Sequence, residues 1–342
     1  MKRFFYAIIA MICLVSCGSD EATVIPPKQF TINVNLKNAT DKTVYLQRYD
    51  NGEMAVLDSV VIKDSLATFK VLVNDNLDAY NVVVKGWRRP LVVFADNQDV
   101  TITGDYQDVY GINVLASKNQ EKVEQTLDVL SKIEDEQEIH FTVLDSVKQN
   151  IDHPIAPYIL YNYKWAFELY DLEQLMSVFP QDMKSGYKDL IMKYIDGLKL
   201  TEVGMPYINF TSKDVNREDF ELSSVIGKSK VVILDFWASW CPDCRKENPG
   251  LVKIYKEFHK KGLDIVSVSF DRNEEAWKKA IADDKLTWKN HVSDLNSLDN
   301  EAARLYTIAF IPQNLIIDEN GIIIKKNLPA DRMREFLVSI LK

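Results

Sequence analysis

Val231-Val232-Ile233-Leu234-Asp235-Phe236-Trp237-Ala238-Ser239-Trp240-Cys241-Pro242-Asp243-Cys244-Arg245-Lys246-Glu247 is the stretch on which the reading of the fold turns. Its first seven residues form a nearly unbroken apolar run, the pattern of a strand buried on both faces. A short turn follows, and then a charged helical pattern. Pro242 suits the first helical position, where its missing N–H is no loss, so Cys241 falls at the helix N-terminus. Unpaired N–H groups and the helix dipole stabilise a thiolate there. Cys244, one turn along, lies on the same side and is expected to be the more buried of the two, with Cys241 exposed.

Downstream the chain keeps alternating. Leu263 to Phe270 and Asn314 to Asp318 read as further strands, and Asp243–Lys261, Glu274–Asp284, Asp299–Tyr306 and Asp331–Leu341 as helices. Asn320-Gly321, between two isoleucine-rich runs, is a hairpin signal. Residues 200–342 are therefore predicted to form an α/β domain, a mixed sheet flanked by helices. Upstream, residues 29–115 carry short β-branched runs with period-two alternation, clearest in Phe30 to Leu36. Turns at Asp50-Asn51-Gly52 and Asn74-Asp75-Asn76 separate some of them, which predicts an all-β, sandwich-like domain. Residues 116–199 change to helical spacing, as in Val123, Leu127, Leu130 and Ile133, with further helices over about 157–175 and 182–198. Most of the aromatic cluster from Tyr158 to Tyr170 is expected to be core, and part of it could line a substrate surface.

The first residues read as targeting. Lys2 and Arg3 precede twelve apolar residues, Phe4 to Val15, too few for the roughly 20 that span a bilayer. Residues 1–16 therefore read as a signal peptide. Leu14-Val15-Ser16-Cys17 resembles the lipobox of bacterial lipoproteins, which implies acylation of Cys17 and a lipidated tether over 17–28. Gly18 in place of an Asp leans toward the outer membrane. Loss of Lys2 and Arg3, with no acid among residues 1–16, takes the net charge from −9 to −11. A nucleic-acid partner, which needs a basic face, is disfavoured.

Of four cysteines, Cys13 leaves with the signal peptide and Cys17 carries lipid. Cys241 and Cys244 remain, in a compartment outside the cytosol. A structural disulfide framework needs more cysteines at wider spacing, and so short a loop removes little chain entropy. A zinc site wants four ligands, haem attachment wants His where Arg245 stands, and the Thr-containing motif of a peroxiredoxin is absent. A redox dithiol is left. Cys241 is expected to attack a substrate sulfur to form a mixed disulfide, and Cys244 to resolve it, closing the Cys241–Cys244 disulfide. Asp235, set among Val232, Ile233, Leu234 and Phe236, would be costly to ionise and its pKa should rise; a strand-end acid turned to solvent is the alternative. Asp243, between the cysteines, should disfavour the Cys241 thiolate somewhat and tilt the pair toward reduction of substrates.

The passage resembles the active site of TlpA-like disulfide reductases of the bacterial envelope, a branch of the thioredoxin-like proteins. The match runs through Phe236-Trp237-Ala238, Trp240-Cys241 and Cys244, the basic Arg245 and Lys246, then Glu247 and Pro249. It continues to Tyr306 through Pro312 and spans about 203–342. The resemblance implies that Asp235 passes protons to Cys244 and that Glu247 is the acid characteristic of these proteins. It also implies a cis bond at Pro312, which sets the Ile311 backbone beside Cys241 for a substrate strand. Trp240 and Pro242 then form the rim. No cofactor is implied; exported cysteine-containing clients and an envelope electron donor are. The β-rich region resembles the domain that precedes the thioredoxin domain in envelope lipoproteins. Two other functions fit less well: an isomerase, which would need a persistent dimer, and a surface binding module with a vestigial thioredoxin fold.

Overall fold

The computed structural model describes residues 28–73 and 77–341. The signal peptide, Cys17, nearly all of the tether and the turn at 74–76 lie outside the described residues.

Eight strands come first: β1 (Gln29–Lys37), β2 (Thr43–Asp50), β3 (Glu53–Val61), β4 (Leu66–Leu72), β5 (Tyr80–Val84), β6 (Leu91–Val93), β7 (Val100–Asp105) and β8 (Asp108–Leu115). They form two four-stranded sheets, ordered β4-β1-β7-β8 and β3-β2-β5-β6. Alternation along β1 sends Phe30, Ile32, Val34 and Leu36 inward, where they meet Val44, Leu46, Val82 and Val84 from the other sheet. Period-two patterning thus becomes a sandwich core. β8 escaped the sequence reading because it is an edge strand with mostly exposed residues and an internal Gly111, which blurs the alternation.

Helices α1 (Lys118–Leu130), α2 (Glu136–Gln149), α3 (Ile155–Tyr163), α4 (Leu169–Val178) and α5 (Gly186–Leu200) follow. Their shared core, including Val143, Leu160, Leu172 and Ile191, takes in Phe94 from the sandwich. Asp78 accepts from Gly186 N at 2.6 Å and Ser185 Oγ at 3.2 Å, so the sandwich caps the start of α5. The helix expected over 157–175 is two helices. The chain tightens into a 3-10 turn at Lys164–Ala166 and extends at Phe167 and Glu168, and His140 Nδ1 holds the Ala166 carbonyl at 2.9 Å.

The C-terminal domain contains β9 (Thr211–Lys213), β10 (Asp219–Glu221), β11 (Val231–Trp237), α6 (Pro242–Phe258), β12 (Leu263–Ser269), α7 (Glu274–Asp283), β13 (Asn290–Val292), α8 (Glu301–Leu305), β14 (Gln313–Asp318), β15 (Ile323–Lys326) and α9 (Ala330–Ile340). Its main sheet is ordered β13-β12-β11-β14-β15, with β11, β12 and β13 mutually parallel, β14 antiparallel to β11, and β15 antiparallel to β14. This is the thioredoxin-like arrangement, a mixed sheet with helices on its faces. Every residue of β11 is buried, because it is the central strand and both its faces are covered. β13 is only three residues long and β9–β10 form a separate short ribbon, too brief for a periodic signal.

Residues 204–208 tie the entry of this domain to its far side. Gly204 N donates to Ile323 O and Ile323 N to Met205 O, at 2.8 and 2.9 Å, covering the exposed edge of β15. Tyr306 Oη donates to Ile208 O at 2.7 Å and accepts from Ile208 N at 2.9 Å. That pair anchors the start of the loop from Tyr306 to Pro312. Among the described residues no helix is long and apolar enough to cross a membrane.

Candidate active site

Strand β11 delivers the chain into the turn 238–240, and α6 starts immediately after it. Cys241 is the N-cap residue with Pro242 next in the helix, so the missing proline N–H falls where no intrahelical partner exists. Cys241 and Cys244 are joined in a disulfide. Cys244 N donates to Cys241 Sγ at 3.1 Å. Cys241 is 5% exposed and Cys244 1%. The order follows the sequence reading, but Cys241 is buried rather than exposed. Its sulfur is tucked between the Cys244 amide and the Ile311 carbonyl oxygen, 3.9 Å away.

The rim comes from two segments far apart in sequence. Trp240 is 56% exposed and Phe310 40%, and Pro242 is exposed beside them. The Ile311–Pro312 bond is cis, and the structure sets Ile311 against Cys241.

Asp235 is buried on β11, the strand that leads into the cysteine turn. Ser267 Oγ donates to its Oδ2 at 2.9 Å, and Trp288 Nε1 donates in turn to Ser267 Oγ at 3.0 Å. Burial pushes the Asp235 carboxyl up to about 7, and the nearby Glu247 charge adds to the rise. The single Ser267 hydrogen bond opposes this without cancelling it. Glu247 Oε2 accepts from Ala330 N at 3.1 Å. Asp235, Glu247 and Pro312 line one cavity of about 240 Å³, closed on other sides by Leu251, Phe310 and Met333. The structure therefore gathers Cys241, Cys244, Asp235, Glu247, Trp240, Pro242, Ile311 and Pro312 around one end of β11 and α6.

Three residues brace this site; the sequence reading missed Asp271 and Asp284, and it placed Arg245 in the motif without giving it a role. Buried Asp271 accepts from Ser239 N at 2.9 Å and from Ser269 Oγ at 2.7 Å, and it also bonds Ser239 Oγ. Arg245 forms a bidentate pair with Asp284 and donates to Ser239 O at 3.2 Å. The turn ahead of Cys241 is thus held from both sides. Asp271 follows a buried strand, the same signal that singled out Asp235, whereas the Arg245–Asp284 pairing joins two helices and has no local signature.

A family model described as the AhpC/TSA family matches residues 203–326, and a domain of unknown function, DUF4369, matches residues 30–123. The thiol-disulfide oxidoreductase ResA of Halalkalibacterium halodurans is 30% identical over 146 residues, 42% of this chain and 79% of that protein. ResA of Bacillus cereus is 26% identical over 153 residues, 45% of this chain and 84% of that one. Among solved structures, the thioredoxin domain of a thiol-disulfide oxidoreductase from Bacteroides vulgatus is 33% identical. It covers 41% of this chain and 99% of its own, with a TM-score of 0.38.

Proposed function

We propose that this chain, which belongs to the ResA-like thiol-disulfide oxidoreductases of the thioredoxin fold, works as a reductase of disulfides in exported proteins. The observation that carries the reading is the Cys241–Cys244 pair at the start of α6, with the Ile311 carbonyl 3.9 Å from Cys241 Sγ.

In the reduced protein the Cys241 thiolate attacks one sulfur of the client disulfide. The client S–S bond breaks, its second sulfur leaves as a thiolate and takes a proton, and a mixed disulfide forms on Cys241. Cys244, losing its proton toward Asp235, then attacks Cys241 Sγ. The mixed bond breaks, the remaining client sulfur leaves as a thiolate and is protonated, and the Cys241–Cys244 disulfide closes. The client gains two electrons and two protons, and an envelope dithiol donor returns them to the pair. An acid held up to about 7 is divided between its two forms near neutral pH, which suits it to passing that proton. Glu247 lines the same cavity, and its charge adds to the rise that burial gives the Asp235 carboxyl. Trp240, Pro242, Ile311 and Pro312 frame the place where the client strand lies.

The acids around the pair favour reduction over oxidation of clients, because negative charge near Cys241 disfavours the thiolate and so the reduced form. Equilibration with glutathione tests this. The expected potential lies nearer the value of about −270 mV of thioredoxin than the value of about −120 mV of a strong periplasmic oxidant. A value near the second would reverse the assigned direction.

We place the protein in the cell envelope, held through lipid on Cys17. Several acyl chains there would anchor it stably where one would not. Labelled fatty acid should enter the wild type and should be absent from Cys17→Ala, which is expected to leave the membrane fraction. Equal labelling of both would remove the anchor.

A further inference from the structure

The helical region and the thioredoxin-like domain meet along a groove of about 470 Å³. Trp165, Tyr194 and Leu198 form one wall; Phe310, Gln313 and Leu328 form the other. The Trp165 and Phe310 rings stand edge to face, 6.2 Å apart. Phe310 also borders the cavity beside Asp235, and the next residue, Ile311, faces the Cys241 sulfur. The groove therefore opens one residue from the place where a client sulfur must arrive.

Its floor is held in an unusual backbone. Thr307 has φ of 56°, a left-handed conformation that a β-branched residue seldom adopts. Gly197 of α5 lies directly against it: a Cβ there would come within 2.2 Å of Thr307 Oγ1. A glycine at this point of α5 lets the helical region close onto the loop that leads to Phe310. At the other end, Lys326 pairs with Glu202 at 2.8 Å. The remaining charged residues of the rim, Glu168 and Lys325, are opposite in sign. The rim charges balance in sign, so the Trp165–Phe310 pair rather than net charge is the feature of the groove that can discriminate between clients.

We infer that this groove seats the client polypeptide next to its reacting cysteine, with a large apolar or aromatic client side chain against Trp165 and Phe310. The inference rests on the disulfide-exchange reading above. An extended chain advances about 3.4 Å per residue, so side chains a few residues from the cysteine fall along this wall. The helical region then supplies client selectivity, and the thioredoxin-like domain supplies the exchange.

The test uses the full chain, reduced beforehand, and two short peptides whose single cysteine is held as a mixed disulfide with thionitrobenzoate. They differ only in carrying Phe or Ser at the flanking positions. The wild type is expected to prefer the Phe peptide about tenfold in kcat/KM, the size of effect that one well-packed aromatic contact supplies. Trp165→Ala is expected to erase that preference through KM, and Trp165→Phe to retain most of it. Equal rates for the two peptides in the wild type would overturn the groove assignment. So would an equal fall for both peptides in Trp165→Ala. A small symmetrical disulfide, assayed in parallel with the wild type, separates the two readings. If it is not reduced, disulfide exchange fails and the groove assignment falls with it.

Discussion

Cys241→Ser is expected to lose disulfide-reducing turnover by at least about a thousandfold, the scale on which removal of a nucleophile is felt. Cys244→Ser is expected to lose turnover as well but to accumulate a mixed disulfide on Cys241. The asymmetry has a structural cause. Cys241 caps α6, receives the Cys244 N–H at 3.1 Å and faces the Ile311 carbonyl, so its sulfur is expected to be the one an incoming strand meets. Cys244 is 1% exposed, and the sulfur within its reach is Cys241 Sγ, to which it is joined in the disulfide. Non-reducing gels with a disulfide client, followed by mass spectrometry of the adduct, separate the roles. Adduct on Cys244 in the Cys241→Ser variant, and none in Cys244→Ser, would exchange them.

Asp235→Asn is expected to stabilise the oxidised protein by an amount that grows with pH. Burial raises the folded carboxyl to about 7, against roughly 3.9 in an unfolded chain. The folded state thus binds this proton more tightly than the unfolded state does. The stability that comes from keeping the group neutral is full below about pH 4 and is lost as pH rises through about 7. Three units at 1.36 kcal/mol each set an upper bound of about 4 kcal/mol above pH 7. Asparagine is never charged, and its side-chain oxygen can still accept from Ser267. Its advantage should therefore be near zero at pH 4 and approach the bound at pH 8, read by urea titration at both values. An equal gain at the two pH values would mean that ionisation of Asp235 is not its source. The same variant should slow turnover about ten- to a hundredfold, with the limb of the pH–rate profile near pH 7 removed.

Much of this site could be read locally. A buried apolar run, a turn, Cys241, Pro242 and Cys244 specify strand, bend and helix start within one short passage, because capping and burial are decided by neighbours in the chain. Asp235 was legible for the same reason: its flanking residues have nowhere to go but the core. Phe310 was not. Its importance comes from standing beside Trp165 and next to Ile311, and neither contact leaves a mark on the residues around it. Asp271 and the Arg245–Asp284 pair likewise act on the Ser239 turn across sequence gaps of 6 to 39 residues.

The sequence by itself determined the order of the parts: an all-β region, a helical region, and an α/β domain with a redox cysteine pair at a helix N-terminus. Periodicity, turn residues and capping are short-range, and they are written where they act. Tertiary structure alone decided how far Cys241 is buried, since the Ile311 carbonyl that covers it arrives from 70 residues away. It also decided that Asp235 and Glu247 share a cavity, and that the helical region closes over the loop before Pro312. Those outcomes depend on how sheets and helices pack, and packing brings together residues whose local sequences hold no record of each other.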